Sequence, residues 1–124
     1  SSPRNELLKS YNKIDIALDP FPYSGGVTSL EAIWMGVPVL TKKGFRFVSH
    51  TTESINHNSG MSDWVANDEN EYVKKAIQFS KDLELLTNIN KNLRQKALKS
   101  PLFNSAVFAK QLNKALWEMW NNFI

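Results

Sequence analysis

Apolar side chains fall along this chain in two alternating patterns: short runs, and stretches in which they return every third or fourth residue. Leu7, Leu8 and Tyr11 follow helical spacing and predict a helix over 4–13. The run Ile14-Asp15-Ile16-Ala17-Leu18 predicts a buried strand, stopped by Asp19-Pro20. Residues 20–26 can continue neither element, and Thr28-Ser29-Leu30-Glu31 has the pattern of a capping box opening a helix that ends before Gly36. A second strand is expected over 37–41, with Pro38 near its start where a missing N–H is tolerated.

A turn at Lys42-Lys43-Gly44 precedes a polar helix over 48–58 that Gly60 closes, and a third strand is expected over 63–66. Tyr72, Ala76, Phe79, Leu83, Leu86, Ile89, Leu93 and Leu98 then carry a helical period to Ser100-Pro101. Asn104 or Ser105 caps a last helix running to about Asn122. Its apolar residues form two stripes, Phe108, Leu112, Leu116, Met119 and Phe123 on one side and Trp117, Trp120 and Ile124 on another. A surface helix needs one stripe, so the second face is expected to meet a partner surface.

Strand and helix in alternation imply a parallel α/β sheet of Rossmann-like, three-layer type. A complete sheet of this kind has about six strands. The three readable here are expected to be the second half of a lobe, leaving the strand at 14–18 as an open edge. The expected division is a partial Rossmann-like lobe over 1–103 and a C-terminal helix over 104–124 that packs on a surface outside this chain. The opening Ser1-Ser2-Pro3-Arg4-Asn5-Glu6 reads as the interior of a longer protein.

With 124 residues, 42% of them hydrophobic and 22% charged, the chain is long enough for one core. It contains no cysteine, which rules out disulfides, thiolate metal sites and a cysteine nucleophile. Cytoplasm is the expected compartment. No apolar run reaches the about 20 residues that cross a bilayer, and the first residues lack a signal-peptide core. The net charge of +3 comes from lysines mixed with acids rather than gathered into a stripe, which argues against a nucleic-acid partner.

Chemistry concentrates between the first two strands. In open parallel sheets ligands sit beyond the carboxyl ends of strands, where a helix N-terminus offers free N–H groups to phosphate. Ser24-Gly25-Gly26-Val27-Thr28 occupies that place: the glycines let a ligand approach, and the hydroxyls of Thr28 and Ser29 can bind phosphate or cap the helix. Glu31, one turn further, either binds ribose hydroxyls or closes the capping box. His50 and His57 have no acid at metal-ligand spacing and make a poor zinc or catalytic case.

The segment over 15–41, DIALDPFPYSGGVTSLEAIWMGVPVLT, resembles the nucleotide-binding segment of SPINDLY-like and O-linked N-acetylglucosamine transferases. The likeness continues through 44–49, Gly60, Glu71-Tyr72 and Ser100-Pro101-Leu102-Phe103 to Leu116-Trp117-Glu118-Met119-Trp120. The resemblance implies a GT-B glycosyltransferase of two Rossmann-like lobes, with tetratricopeptide repeats ahead of them and a nucleotide sugar between them. It implies that Gly25, Gly26, Val27, Thr28 and Ser29 face the donor's diphosphate and that Glu31 binds its ribose, with no metal and no cofactor. Val27 stands where many relatives carry a hydroxyl, Gly26 where animal enzymes carry histidine, and His50 where relatives usually carry arginine. UDP-N-acetylglucosamine and GDP-fucose both remain open as donors. The expected function is the donor-binding part of a protein O-glycosyltransferase acting on Ser or Thr hydroxyls. The alternatives are a non-enzymatic interaction domain derived from such a lobe and a basic RNA-binding module. The isolated chain is expected to self-associate and to transfer no sugar by itself.

Overall fold

The computed structural model describes residues 3–124; Ser1 and Ser2, which belong to the expected 1–103 unit, lie outside the described residues. Its elements run α1 (Arg4–Ser10), β1 (Ala17–Leu18), α2 (Val27–Trp34), β2 (Val39–Lys42), α3 (Thr51–Asn58), β3 (Val65–Ala66), α4 (Glu69–Ser80), α5 (Leu83–Leu98) and α6 (Ser105–Phe123). Short 3-10 turns occupy Tyr11–Lys13, Phe47–Ser49, Ser62–Trp64 and Pro101–Phe103.

The strands form a parallel sheet in the order β1-β2-β3, with Ala17 beside Val39, Leu18 beside Leu40, Thr41 beside Val65 and Lys42 beside Ala66. This is the α/β arrangement that the alternating pattern predicts. Each strand is shorter than its apolar run. Pro38 has no N–H to give to the ladder, although its carbonyl accepts from Ala17 at 2.9 Å, so β2 begins at Val39. Ahead of β3, Ser62–Trp64 curls into a 3-10 turn instead of extending.

Helix α2 begins two residues earlier than the capping-box pattern, with Thr28 as N-cap, places it. Gly26 is the N-cap, no side chain caps the helix, and Glu31 turns away to pair with Arg4 at 2.9 Å. The capping box is therefore not made. A long-range ion pair has replaced a local contact of about 1 kcal/mol.

Helices α2 and α3 pack together and against β2, α4 covers β2 and β3, and α5 bridges α2 and α4. Ile33, Val37, Leu40 and Leu93 are completely enclosed between these elements, and Trp64 stacks on Phe79 with ring centroids 4.3 Å apart. Burying each large aliphatic side chain contributes roughly 1.5–3 kcal/mol. The rear of α2 is fastened to α5. Gly36, at φ +83°, makes the left-handed exit, the Asn90 amide donates to Gly36 O at 3.4 Å, and Arg94 Nε donates to Trp34 O.

α6 is capped by Asn104, which accepts from Val107 N at 3.1 Å, and it leans on the Pro101–Phe103 turn. Both of its apolar stripes are open: Trp117 is 59% exposed and Trp120 56%. The tryptophans do not fold back onto the helices of this chain.

Candidate functional site

The loop between β1 and α2 is held by buried polar side chains rather than by regular structure. Asp19, at the carboxyl end of β1 and 4% exposed, accepts from Gly25 N at 2.7 Å through one oxygen and from the Thr41 hydroxyl at 2.6 Å through the other. Its own carbonyl accepts from the Tyr72 hydroxyl at 3.1 Å. Burial, and then the negative charge of Asp19, push the Tyr72 phenol up from its ordinary value. A Cβ on Gly25 would come within 2.4 Å of Ser29 Oγ and 2.8 Å of Thr28 Oγ1, so the loop closes this tightly only with glycine there.

The stretch before α3 laces onto the same loop. Ser24 donates to Val48 O through both its N–H and its hydroxyl, Ser49 donates to Pro22 O at 2.6 Å, and Thr52 donates to Gly25 O at 3.0 Å. Thr52 gives its one hydroxyl proton to Gly25 O, so Ser29 is the donor in the 2.9 Å contact between Ser29 and Thr52. The Phe21–Pro22 peptide bond is cis.

These bonds sort the expected site residues. Gly25 N–H and the Ser29 hydroxyl are engaged inside the protein. Among the described residues no protein acceptor meets the N–H groups of Val27, Thr28 and Ser29, and the Thr28 hydroxyl has no partner. What remains open is an uncapped helix end with the geometry of an anion site.

Glu31 lies one turn behind this end. Its carboxylate, 12% exposed, is beside Arg4 and near Tyr11, whose phenol is raised first by burial and then by Glu31. Arg4, Glu31, Leu8, Val27, Trp34 and Phe103 line a cavity of about 350 Å³ next to the helix end. The pattern of residue types did not reveal Arg4, Asp19, Thr41 or Thr52; the signal available was an acid directly after an apolar run and hydroxyls inside buried segments. Among the described residues no group of three His, Asp or Glu side chains is arranged to hold a metal.

Comparison with known proteins decides the lineage. Residues 1–112 match the model of glycosyl transferase family 41. The chain belongs to that family. Similar family 41 members include the probable UDP-N-acetylglucosamine–peptide N-acetylglucosaminyltransferases SPINDLY of Solanum lycopersicum, 35% identical, and Petunia hybrida, 36% identical, each over 119 residues. In both cases the match covers 96% of this chain and 13% of the relative, so this family 41 chain spans a small part of their length. An O-GlcNAc transferase mutant of Thermobaculum terrenum has the same fold, with a TM-score of 0.86 and 37% identity over 98% of this chain and 23% of that one. The GT-B resemblance read from the 15–41 segment agrees with that neighbour. Among the described residues no helix is long and apolar enough to cross a membrane.

Proposed function

We propose that this chain is the donor-binding part of a protein O-glycosyltransferase, with the diphosphate of a nucleotide sugar at the first turn of α2. The observation that carries the reading is the set of open N–H groups on Val27, Thr28 and Ser29, next to a loop that Asp19 and Thr52 hold rigid. The neighbouring cavity takes the nucleoside, and Glu31 accepts from the ribose hydroxyls while Arg4 orients it. Membership of family 41 supports the reaction class.

In this reaction a Ser or Thr hydroxyl oxygen bonds to the anomeric carbon as the bond from that carbon to the phosphate oxygen breaks. The nucleoside diphosphate leaves with the electron pair. Helix N–H groups and the Thr28 hydroxyl stabilise the charge that develops on it, an effect worth several kcal/mol in acyl- and phosphoryl-transfer enzymes. Acceptor-side groups, including the base that takes the hydroxyl proton, and tetratricopeptide repeats that hold the protein acceptor belong to the longer protein. The donor is UDP-N-acetylglucosamine, by analogy with what the relatives' names state, and the compartment is the cytoplasm. The unit over 1–103 is the lobe, and the 104–124 helix lays its Trp117 and Trp120 face on a second lobe. In the isolated chain that face drives self-association at micromolar concentration, and no sugar is transferred, because donor and acceptor must be held in one cleft.

Calorimetric titration tests the reading. Glu31→Ala weakens UDP more than free pyrophosphate, by on the order of 1–3 kcal/mol. Equal losses for both ligands, together with a lower melting temperature, would assign Glu31 to stability alone.

A further inference from the structure

Gly25 is gripped on both sides of its α-carbon. Its N–H donates to Asp19 Oδ1 at 2.7 Å, and its carbonyl accepts from the Thr52 hydroxyl at 3.0 Å. Thr52 lies in the first turn of α3 and has no exposed surface. A threonine in a helix often turns its hydroxyl to the carbonyl four residues back. Here that carbonyl, Val48 O, already accepts from the N–H and the hydroxyl of Ser24, at 3.2 and 2.7 Å. Ser29 donates to Thr52 Oγ1 at 2.9 Å, so the Thr52 proton is directed to Gly25 O.

This bond sets more than the carbonyl. The Gly25–Gly26 peptide is planar and trans, so its C=O and its N–H, which belongs to Gly26, point in opposite directions. With the oxygen drawn to α3, the Gly26 N–H is turned away from α3. The torsions of Gly26, φ −132° and ψ −88°, keep that N–H on the same side of the chain as the N–H of Val27, the first residue of α2. Among the described residues no protein acceptor meets it. A Cβ on Gly26 would meet nothing nearer than the Thr51 methyl at 3.7 Å, so packing does not call for glycine there.

We infer that Thr52 is a positioning residue of the diphosphate site. By holding Gly25 O it keeps the Gly25–Gly26 peptide in the orientation that offers the Gly26 N–H to the diphosphate, as a fourth donor beside those of Val27, Thr28 and Ser29. This rests on the reading of the first turn of α2 as the diphosphate site. Glycine on both sides makes such a guard necessary, because neither α-carbon carries a Cβ that would oppose rotation of the peptide plane. An inverted plane would aim a carbonyl oxygen at the anion where a donor now stands. Thr52 itself is buried and acts only through this peptide.

The test is NMR titration of the isotope-labelled 124-residue chain with inorganic pyrophosphate and, separately, with UDP-N-acetylglucosamine. In the wild type the amide signal of Gly26 is expected to move with those of Val27 and Thr28 on addition of either ligand. Thr52→Val keeps the shape and removes the hydroxyl. It is expected to bind both ligands about five- to tenfold more weakly, the cost of one hydrogen bond to a charged group, with the Gly26 signal no longer following. Thr52→Ser restores the donor and returns both the affinity and the Gly26 response. If Thr52 only supports the fold, the valine variant melts lower while the affinity of the folded chain and the Gly26 response stay as in wild type; that outcome overturns the inference. A wild type in which Val27 and Thr28 respond and Gly26 does not overturns it as well, without any variant having to fold, and leaves the diphosphate site standing. A wild type that is folded by circular dichroism yet shows no response in the first turn of α2 to either ligand removes both.

Discussion

Asp19→Ala is the most informative single perturbation, because one buried carboxylate joins β1, β2 and the glycine loop. The change deletes the acceptor for Gly25 N and for the Thr41 hydroxyl, at 2.7 and 2.6 Å, and Thr41 has no exposed surface through which water could compensate. A hydrogen bond to a charged group contributes about 1.5–3 kcal/mol, and each stranded donor adds a desolvation cost, so the loss is about 3–5 kcal/mol. Against a typical domain stability of about 5–15 kcal/mol that is a large fraction. Asp19→Asn keeps one oxygen for Gly25 and can donate to Thr41 Oγ1, so it costs about 1–2 kcal/mol. Urea denaturation followed by circular dichroism gives both values from midpoints at unchanged slope. Thr41→Val completes a double-mutant cycle. Once the carboxylate is gone the hydroxyl is a liability, so the valine change is less harmful in the Asp19→Ala background, with a coupling of about 1–2 kcal/mol. An Asp19→Ala cost under about 1 kcal/mol, or strict additivity in the cycle, refutes the reasoning.

Two further expectations follow from local geometry. Gly36→Ala puts a Cβ 2.6 Å from the Asn90 carbonyl at φ +83° and costs more than about 2 kcal/mol, whereas Gly60→Ala, at φ +75°, meets the movable end of Lys96 and costs about 1 kcal/mol. Equal melting-temperature losses for the two would contradict this. The Glu71 carboxyl is held down from its ordinary 4.5 to about 2, first by the Asn67 N–H and then by Lys75 and the Asn67 amide. A depressed carboxyl stabilises the fold above its unfolded value, and that contribution disappears as pH falls from about 4.5 toward about 2. Glu71→Gln is therefore expected to flatten the acid limb of a melting-temperature profile between those values, and an unchanged limb refutes the assignment.

The apolar runs announced β1, β2 and β3 because parallel strands are covered on both faces and are written as continuous hydrophobic stretches. Their ends were not legible, since a strand stops where its neighbour stops pairing: the paired part of β1 begins at Ala17, where the Pro38 carbonyl first offers an acceptor. The start of α2 was misplaced for a similar reason. Thr28 and Glu31 have the spacing of a capping box, yet Glu31 finds Arg4, which no local rule connects to it. Glycines and hydroxyls drew attention to the loop between β1 and α2, which the fold places beyond the carboxyl end of β1. Which hydroxyls face inward was hidden, because the Ser29 side chain is committed by Thr52, 23 residues away.

The fastening of α2 at its rear has a mechanical meaning. Arg94 grips the carbonyl of Trp34, the last residue of the helix, and brings positive charge to its negative end, while Asn90 holds the Gly36 carbonyl just beyond it; at the front, Ser29 is tied to Thr52 and the Thr28 carbonyl accepts from Tyr11. The helix is thus a strut held at both ends, by α5 at the rear and by α3 at the front. It cannot slide along its axis when an anion pulls on the first turn, so the pull is resisted by α5 instead of being dissipated in a shift of the loop. The front of α2 then presents its N–H groups at nearly fixed positions, and fluctuations that loosen α5 loosen those positions as well.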